Sequence, residues 1–396
     1  MPIPTPFHSR TAPLCTTYEW RVWAGYLTAG LYEPSHDREY YAIRNAAALI
    51  DVSPLFKYEI SGPHALVVVD RLITRDATRC RVGQVLYTPW CDEDGQVIDD
   101  GTVARLAEDR FRLTAADPNY RWFDDVAYGF DARVENVSEA LAALSLQGPN
   151  SREVLRGVVG GVDFDALRYF HLADGMVETV PVTVTRTGYT GDLGYELWIP
   201  AESALAVWDR LIDRGQAYGL LPVGMVAMDI ARTEAGLLLI EIDYKSSQHA
   251  QIEAQKSSPF ELGLGWAVAL DVGDFIGREA LRAEKARGPE WTFVGVEVSW
   301  TDLEKLYAAE DLPPQVAGRA SRQAVPLYRN GRQVGQLTSH TFSPILKRYI
   351  GIGTVRSEHA AVGTALQVEV TVEYQRKKAR GTIVRTPFYD PPHKRR

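Results

Sequence analysis

The sequence predicts an α+β protein of more than one domain whose chain ends in a small β-barrel or sandwich, and three observations predict it. The first is a repeated unit. Residues 56–60 read as a strand running into Ser61-Gly62-Pro63 and a helix through Leu72. Residues 143–146 repeat this, with Gln147-Gly148-Pro149 and a helix through Leu155. Proline pre-sets the first helical turn, so each Gly-Pro marks a helix start. The two units stand about 85 residues apart, which suggests an internal structural duplication. The second is a hairpin between them: residues 85–90 extended, a Glu93-Asp94-Gly95 turn, and residues 97–106 returning. The third lies beyond Gly288-Pro289, a linker by composition. There Leu366, Val368, Val370, Val372 and Tyr374 alternate with other residues at the period of a half-buried strand.

The remaining elements follow in order. Residues 42–50 read as a helix, and residues 110–114, 180–186 and 195–199 as strands. Between 201 and 215, Leu205, Trp208, Leu211 and Ile212 form one helical stripe, and a further helix runs from 223 to 236. A polar insertion surrounds Leu312-Pro313-Pro314, and residues 390–396 read as a solvated tail. The domains implied are 1–287, mixed α and β, and 288–396, the β-barrel.

Composition excludes several classes of function. With 45% hydrophobic and 24% charged residues in 396, the chain is that of an ordinary globular protein. A net charge of −8 argues against a general nucleic-acid partner, which needs clustered basic surface. No apolar run reaches the roughly 18–20 residues of a membrane helix, and residues 1–17 lack a secretory pattern. Cys15, Cys80 and Cys91 have no metal-type spacing, and the eight histidines give no His-x-x-x-His pair. The expectation is a cytoplasmic protein with neither membrane nor nucleic acid as partner. Dinucleotide, P-loop and nucleophile-elbow motifs are absent, and the glycine pairs Gly351-Ile352-Gly353 and Gly263-Leu264-Gly265 are structural.

What stands out is acid in apolar strands. Asp99-Asp100-Gly101 follows Val97-Ile98, where a buried charge needs a partner. The plain alternative is a strand end at a turn. Glu196, between Tyr195 and Leu197-Trp198, points opposite to its neighbours and faces either a site or water. Arg232 and Glu234 read by themselves as a local ion pair.

Taken together, these stretches resemble the folate-dependent T-protein (aminomethyltransferase) family. The motifs that carry it run collinearly from about residue 40 to 388. They are Asp51-Val52-Ser53, the stretch from Gly95 to Asp100, Leu146-Gln147-Gly148-Pro149, and the stretch from Arg186 to Glu196. Next come the stretch from Ala231 to Gly236, Ser258-Pro259-Phe260-Glu261 and Phe275-Ile276-Gly277-Arg278. The last are Gly335-Gln336-Leu337-Thr338-Ser339, the stretch from Ser343 to Lys347, and Thr386-Pro387-Phe388. The resemblance implies a three-domain cloverleaf around a central channel that holds tetrahydrofolate, with residues 1–287 as two intertwined α+β subdomains. It implies Asp100 as the catalytic carboxylate near folate N5, and Glu196 as the acceptor for the pterin edge. Tyr189, Arg232 and Tyr87 would line the folate site. The chemistry suits these roles: a carboxylate accepts paired hydrogen bonds from a ring N–H and amino group, and a fixed negative charge stabilises an attacking amine as it becomes cationic.

The sequence departs from the glycine-cleavage pattern in ways that bear on the donor. Pro54-Leu55 follows Asp51-Val52-Ser53, Gly101 follows Asp100, and Ala115-Ala116-Asp117 replaces an Asn-rich stretch. Residues 89–95 and Ala115-Ala116-Asp117 look more like dimethylsulfoniopropionate demethylase, and Asp100-Gly101 after Val97-Ile98-Asp99 looks more like the aryl O-demethylases, both of the demethylase branch. They imply methyl transfer from a small S-, N- or O-methyl donor to N5 of tetrahydrofolate. Trp90 and Asp117 are the expected donor-binding residues, an aromatic face and a negative charge suited to an onium group; otherwise Trp90 is core and Asp117 caps the next helix. The alternatives are a glycine-cleavage aminomethyltransferase working with a lipoyl carrier protein, a non-catalytic folate-binding accessory protein, and the folate-binding part of a flavin amine oxidase. No metal is expected.

Overall fold

The computed structural model describes residues 1–315 and 318–395. Two large open sheets, a small three-stranded sheet (Ile3–Pro4, Tyr26–Leu31 and Glu19–Trp23 in spatial order) and a closed barrel organise these residues. One five-stranded sheet takes, in spatial order, Val85–Cys91, Val97–Ala107, Arg110–Ala115, Phe56–Ser61 and Arg133–Asn136. A six-stranded sheet takes Leu172–Val177, Val180–Thr185, Gly194–Pro200, Leu141–Gln147, Ala47–Asp51 and Leu220–Pro222.

The first four strands of both large sheets share one topology. A strand leads through a helix (Ala65–Leu72 or Ser151–Arg156) into a three-stranded meander, and the meander's last strand pairs with the first. The repeated Gly-Pro turn therefore marks a repeat of architecture. Gly62 and Gly148 sit at φ 120° and 113°. A Cβ there would come within 2.8 Å of the Asp131 carbonyl or 2.7 Å of the Ala46 carbonyl. Only glycine meets both demands.

Each large sheet buries one face under its helices. Leu144, Tyr195, Leu197, Trp208 and Leu211 belong to one core, and Tyr58, Val69, Trp90, Phe111 and Phe123 to the other. The sheets adjoin at their edge strands, where Val85 N donates to Phe170 O at 2.9 Å and Leu172 N to Gly83 O at 2.8 Å. Thr102 and Thr114 from one sheet and Thr185 and Trp198 from the other line a narrow cleft along this seam.

Three local expectations are corrected. The helix expected over residues 42–50 is instead a helix at Asp37–Asn45 followed by the strand Ala47–Asp51. Ala46 breaks the helix at φ −143°, and the short apolar run beyond it is buried on both faces, the case where periodicity cannot separate strand from helix. Tyr374 leaves the alternating pattern: its strand ends at Val372, and Tyr374 sits exposed in the turn. The tail is docked, not solvated. His393 Nε2 lies 2.6 Å from Asp192 Oδ1, and Arg186 donates to the Lys394 carbonyl at 3.1 Å. Arg396 lies outside the described residues.

Beyond Gly288 the chain forms a closed six-stranded barrel, Trp291–Val298, Arg348–Arg356, Arg332–Ser343, Val325–Arg329, Ala365–Val372 and Gln375–Val384 in order around the ring. Closure leaves no free edge. Buried polar networks dock it on the preceding residues. Glu234 accepts from Tyr40 Oη, from Arg44 and from Ser343 Oγ, each at 2.5 Å at its shortest. Asp243 accepts from Thr338 Oγ1 at 2.6 Å and Ser339 Oγ at 2.7 Å. Among the described residues no helix is long and apolar enough to cross a membrane.

Candidate functional site

Asp99 and Asp100 are the third and fourth residues of Val97–Ala107, inside the strand and not at a turn. Strand alternation sends the two carboxylates to opposite faces. Asp99 faces inward and is fully buried. Its Oδ1 accepts from Asp100 N at 2.7 Å, and its Oδ2 from Asp117 N at 3.1 Å and Asn119 Nδ2 at 2.8 Å. Asp100 faces the other way and is half-buried. Tyr87 Oη donates to its Oδ2 at 2.6 Å, and Tyr244 Oη donates to its Oδ1.

Burial pushes both carboxyls above their ordinary range, Asp99 well above. The charge of Asp100 raises Asp99 further, whereas the two phenols oppose the rise at Asp100. Two close acids in a poorly solvated place share their proton unequally. Asp100 is the less strongly raised of the two, and two hydroxyl donors favour its charged form. Tyr87 and Tyr244 pin that charge in one orientation.

Glu196 sits on the facing sheet in Gly194–Pro200, registered against Ser145 and Thr185. Its Oε2 accepts from Thr187 Oγ1 at 2.5 Å, and Thr187 is in turn 2.7 Å from Thr185 Oγ1. Among the described residues Oε1 has no partner, and burial raises the carboxyl above its ordinary value. A half-buried carboxylate with one oxygen held and one free is an acceptor waiting for a donor pair.

Tyr189 Oη donates to the Leu238 carbonyl, and the charges of Asp100, Asp243 and Arg232 all reach the phenol. Arg232 is fully buried, and its guanidinium is engaged with protein atoms. It meets Asp229 Oδ1 at 2.8 Å, Asp243 Oδ2 at 2.5 Å, the Leu237 carbonyl at 3.2 Å and Ser339 Oγ at 2.7 Å. The local pair expected between Arg232 and Glu234 does not form; Glu234 takes Arg44 instead.

Of the two expected donor-binding residues, Trp90 is corrected outright. It is fully buried, edge-on to Phe123 with ring centroids 5.4 Å apart, and its Nε1 donates to Asn119 Oδ1 at 3.0 Å. No ring face is left for a donor. Its ring closes over Gly101, where an added Cβ would lie 3.1 Å from the indole and 1.9 Å from the Thr114 carbonyl. Asp117 is part-exposed and does not cap the helix Tyr120–Ala127, whose N-cap is Asn119. Its Oδ2 lies 3.5 Å from His249 Nδ1, which is 3.0 Å from Glu241 Oε1. Asp117, Glu241 and His249 thus form a small charged cluster near the Asp99 side of the site.

Sequence reasoning missed Tyr244, Thr187 and the structural part of Asp99. Tyr244 reaches Asp100 from 144 positions away on an irregular segment, where no period marks it. Thr187 lay inside a recognised motif but carried no distinguishing pattern.

Comparison with known proteins gives the family and the fold. A family model described as the GCVT N-terminal domain matches residues 7–272, and one described as the glycine cleavage T-protein C-terminal barrel domain matches residues 314–390. An aminomethyltransferase of Symbiobacterium thermophilum is 37% identical over 367 residues, covering 90% of this chain and 90% of its own. One from Halothermothrix orenii is 34% identical over 354 residues, covering 88% and 90%. In fold, the crystal structure of glycine cleavage system aminomethyltransferase T from Bartonella henselae superposes with a TM-score of 0.82, covering 98% of both chains at 24% identity. With most of its length matched in this way, the chain belongs to the glycine cleavage T-protein family.

Proposed function

We propose that the chain is a tetrahydrofolate-dependent one-carbon transferase of the aminomethyl type, with a lipoyl carrier protein as the source of the group. The observation that carries the reading is Asp100 held by two phenols on one sheet, with a half-satisfied Glu196 on the other. The residues fit the ligand: the free Oε1 of Glu196 can accept from a pterin edge, and Asp100 offers a fixed charge to an amine. The relatives named as aminomethyltransferases support the aminomethyl form over the methyl form.

In this reading tetrahydrofolate supplies the nucleophilic nitrogen, N5. Glu196 holds the pterin edge, oriented through Thr187 and Thr185. Asp100 stabilises the positive charge that develops on the attacking amine and accepts its proton after transfer. Because Asp100 is already immobilised by Tyr87 and Tyr244, little reorganisation is needed as the charge appears. Arg232 acts through others, neutralising Asp243 and Asp229 beneath Tyr189 instead of reaching the ligand. Residues 1–287 would hold the folate, and the barrel of 288–396 would close the site from beyond Asp243.

A second reading, methyl transfer from a cationic S- or N-methyl donor, is favoured by one observation. Asp117 and Glu241 place two carboxylates around His249 close to Asp99, a negative patch that suits an onium group. The test is to incubate the enzyme and tetrahydrofolate with an aminomethyl-lipoyl carrier and, separately, with sulfonium, methylamine and methoxyaryl donors. Mass analysis of the folate should show the methylene form with the carrier, accompanied by ammonia. 5-Methyltetrahydrofolate formed only with a small methyl donor would reverse the order of the two readings, and an unchanged folate with every donor would overturn both.

A further inference from the structure

A cavity of about 510 Å³ opens beside the Asp100 site. Its walls include Tyr87, Trp266, Tyr169, His171, Arg75 and Arg79. Tyr87 links it to the chemistry, since its hydroxyl binds Asp100 while its ring lines the cavity. That ring stacks on Trp266, with centroids 6.1 Å apart and planes 24° from parallel, and Trp266 is 63% exposed.

The cations at the cavity wall are not equivalent. Arg79 is exposed and already paired, 3.0 Å from Asp76. His171 has both ring nitrogens engaged, Nδ1 with the Tyr169 carbonyl at 3.1 Å and Nε2 with the Gln84 side chain at 3.4 Å. Arg75 is different. It is half-buried, and among the described residues its guanidinium has neither a hydrogen-bond partner nor an ion pair; its contact is with the Trp266 ring, 5.5 Å from the centroid. Burial lowers its pKa, and no carboxylate opposes that fall. A partly desolvated guanidinium left unpaired at a cavity wall is a poor arrangement for the empty protein and a good one for a bound carboxylate.

We propose that Arg75 is the carboxylate-binding residue of this cavity and takes the glutamate tail of the folate. This rests on the folate reading above. The order of chemistry along the wall matches the order along the ligand. Asp100 comes first, bound by the Tyr87 hydroxyl just beyond the wall, then the Tyr87–Trp266 aromatic pair for the aminobenzoyl ring, then the unpaired Arg75 against Trp266 for the terminal carboxylates. The cation–π contact with Trp266 holds the guanidinium over the aromatic surface while leaving its N–H edge free to form two parallel bonds. A carboxylate on a one-carbon donor would offer the same chemistry, so the test separates the two sources.

The experiment is calorimetric titration of the full-length wild type, R75Q and R75K with tetrahydropteroate, which lacks the glutamate, with tetrahydrofolate, and with its triglutamate. Wild type should bind tetrahydrofolate about tenfold or more tightly than tetrahydropteroate, the size of one charge-assisted bidentate contact. R75Q should remove most of that preference while leaving tetrahydropteroate affinity within about twofold, which also shows the variant folded; R75K should keep part of it. Equal wild-type affinity for the two ligands, or an unchanged preference in R75Q, would overturn the role of Arg75 while leaving the folate reading intact. An unchanged preference in R75Q with a raised KM for a carboxylated donor would overturn it in favour of the donor. If wild type binds neither ligand, the folate reading itself fails and the proposal with it.

Discussion

Asp100→Asn should lower turnover by about 10²–10³ while changing tetrahydrofolate affinity little, because one preorganised electrostatic contact at a developing charge typically contributes that much. The amide keeps the shape of the side chain. Tyr87 and Tyr244 both donate to Asp100, and an amide has only one oxygen to receive them, so one phenol must rotate to accept. That adjustment is local and leaves the fold intact. What disappears is the negative charge, which the buried Asp99 cannot supply because its oxygens are occupied by Asp100 N, Asp117 N and Asn119 Nδ2. Steady-state kinetics with parallel calorimetry separates the two quantities. Turnover near the wild-type level would remove Asp100 from the chemistry.

The largest effect on stability should come from Arg232→Met, a loss of about 3–5 kcal/mol, the usual cost of breaking a buried ion pair from one side. Arg232 joins Asp229 on its own helix to Asp243 beyond it and to Ser339 on the barrel. Asp229 keeps a second partner in Arg322, at 2.7 Å. Asp243 keeps only neutral donors, Thr338, Ser339 and the Leu239 amide. The variant therefore strands one charge at the joint between the barrel and the rest. Urea unfolding should show a midpoint at clearly lower denaturant. A loss below about 1 kcal/mol would mean that the hydroxyls and Arg322 already satisfy the two acids.

Much of the fold was legible because its signals are local. The two Gly-Pro turns, the Glu93-Asp94-Gly95 hairpin and the alternation from Leu366 to Val372 are each written within about ten residues, and each corresponds to the element it predicted. Residues 42–50 read as one helix because nothing in the sequence marks the break at Ala46, and the apolar run after it suits either state. The site was legible in part. Asp100 and Glu196 stand out because a carboxylate in an apolar strand needs a reason, and both are half-buried within their strands. Tyr244 and Arg75 did not stand out, since their significance lies in what distant segments bring to them. Trp90 failed as a donor-binding residue for a related reason: an aromatic in a recognised motif looks the same in sequence whether it lines a site or fills the space over a glycine.

Calorimetric titration of tetrahydrofolate into wild type and Glu196→Gln, repeated from pH 8 downward, bears on the whole reading at once. Burial raises the Glu196 pKa, so this carboxylate takes up its proton at a higher pH than an ordinary one, and the protonated form loses an acceptor. Wild-type affinity should be full at neutral pH and should fall on acidification while ordinary surface carboxylates are still ionised. The glutamine variant should bind about 10–100-fold more weakly at neutral pH, as expected for losing charge-assisted hydrogen bonds to the pterin edge, and should lack the acid-dependent step. Equal affinity in the two proteins, with the same dependence on pH, would contradict a folate site built on Glu196.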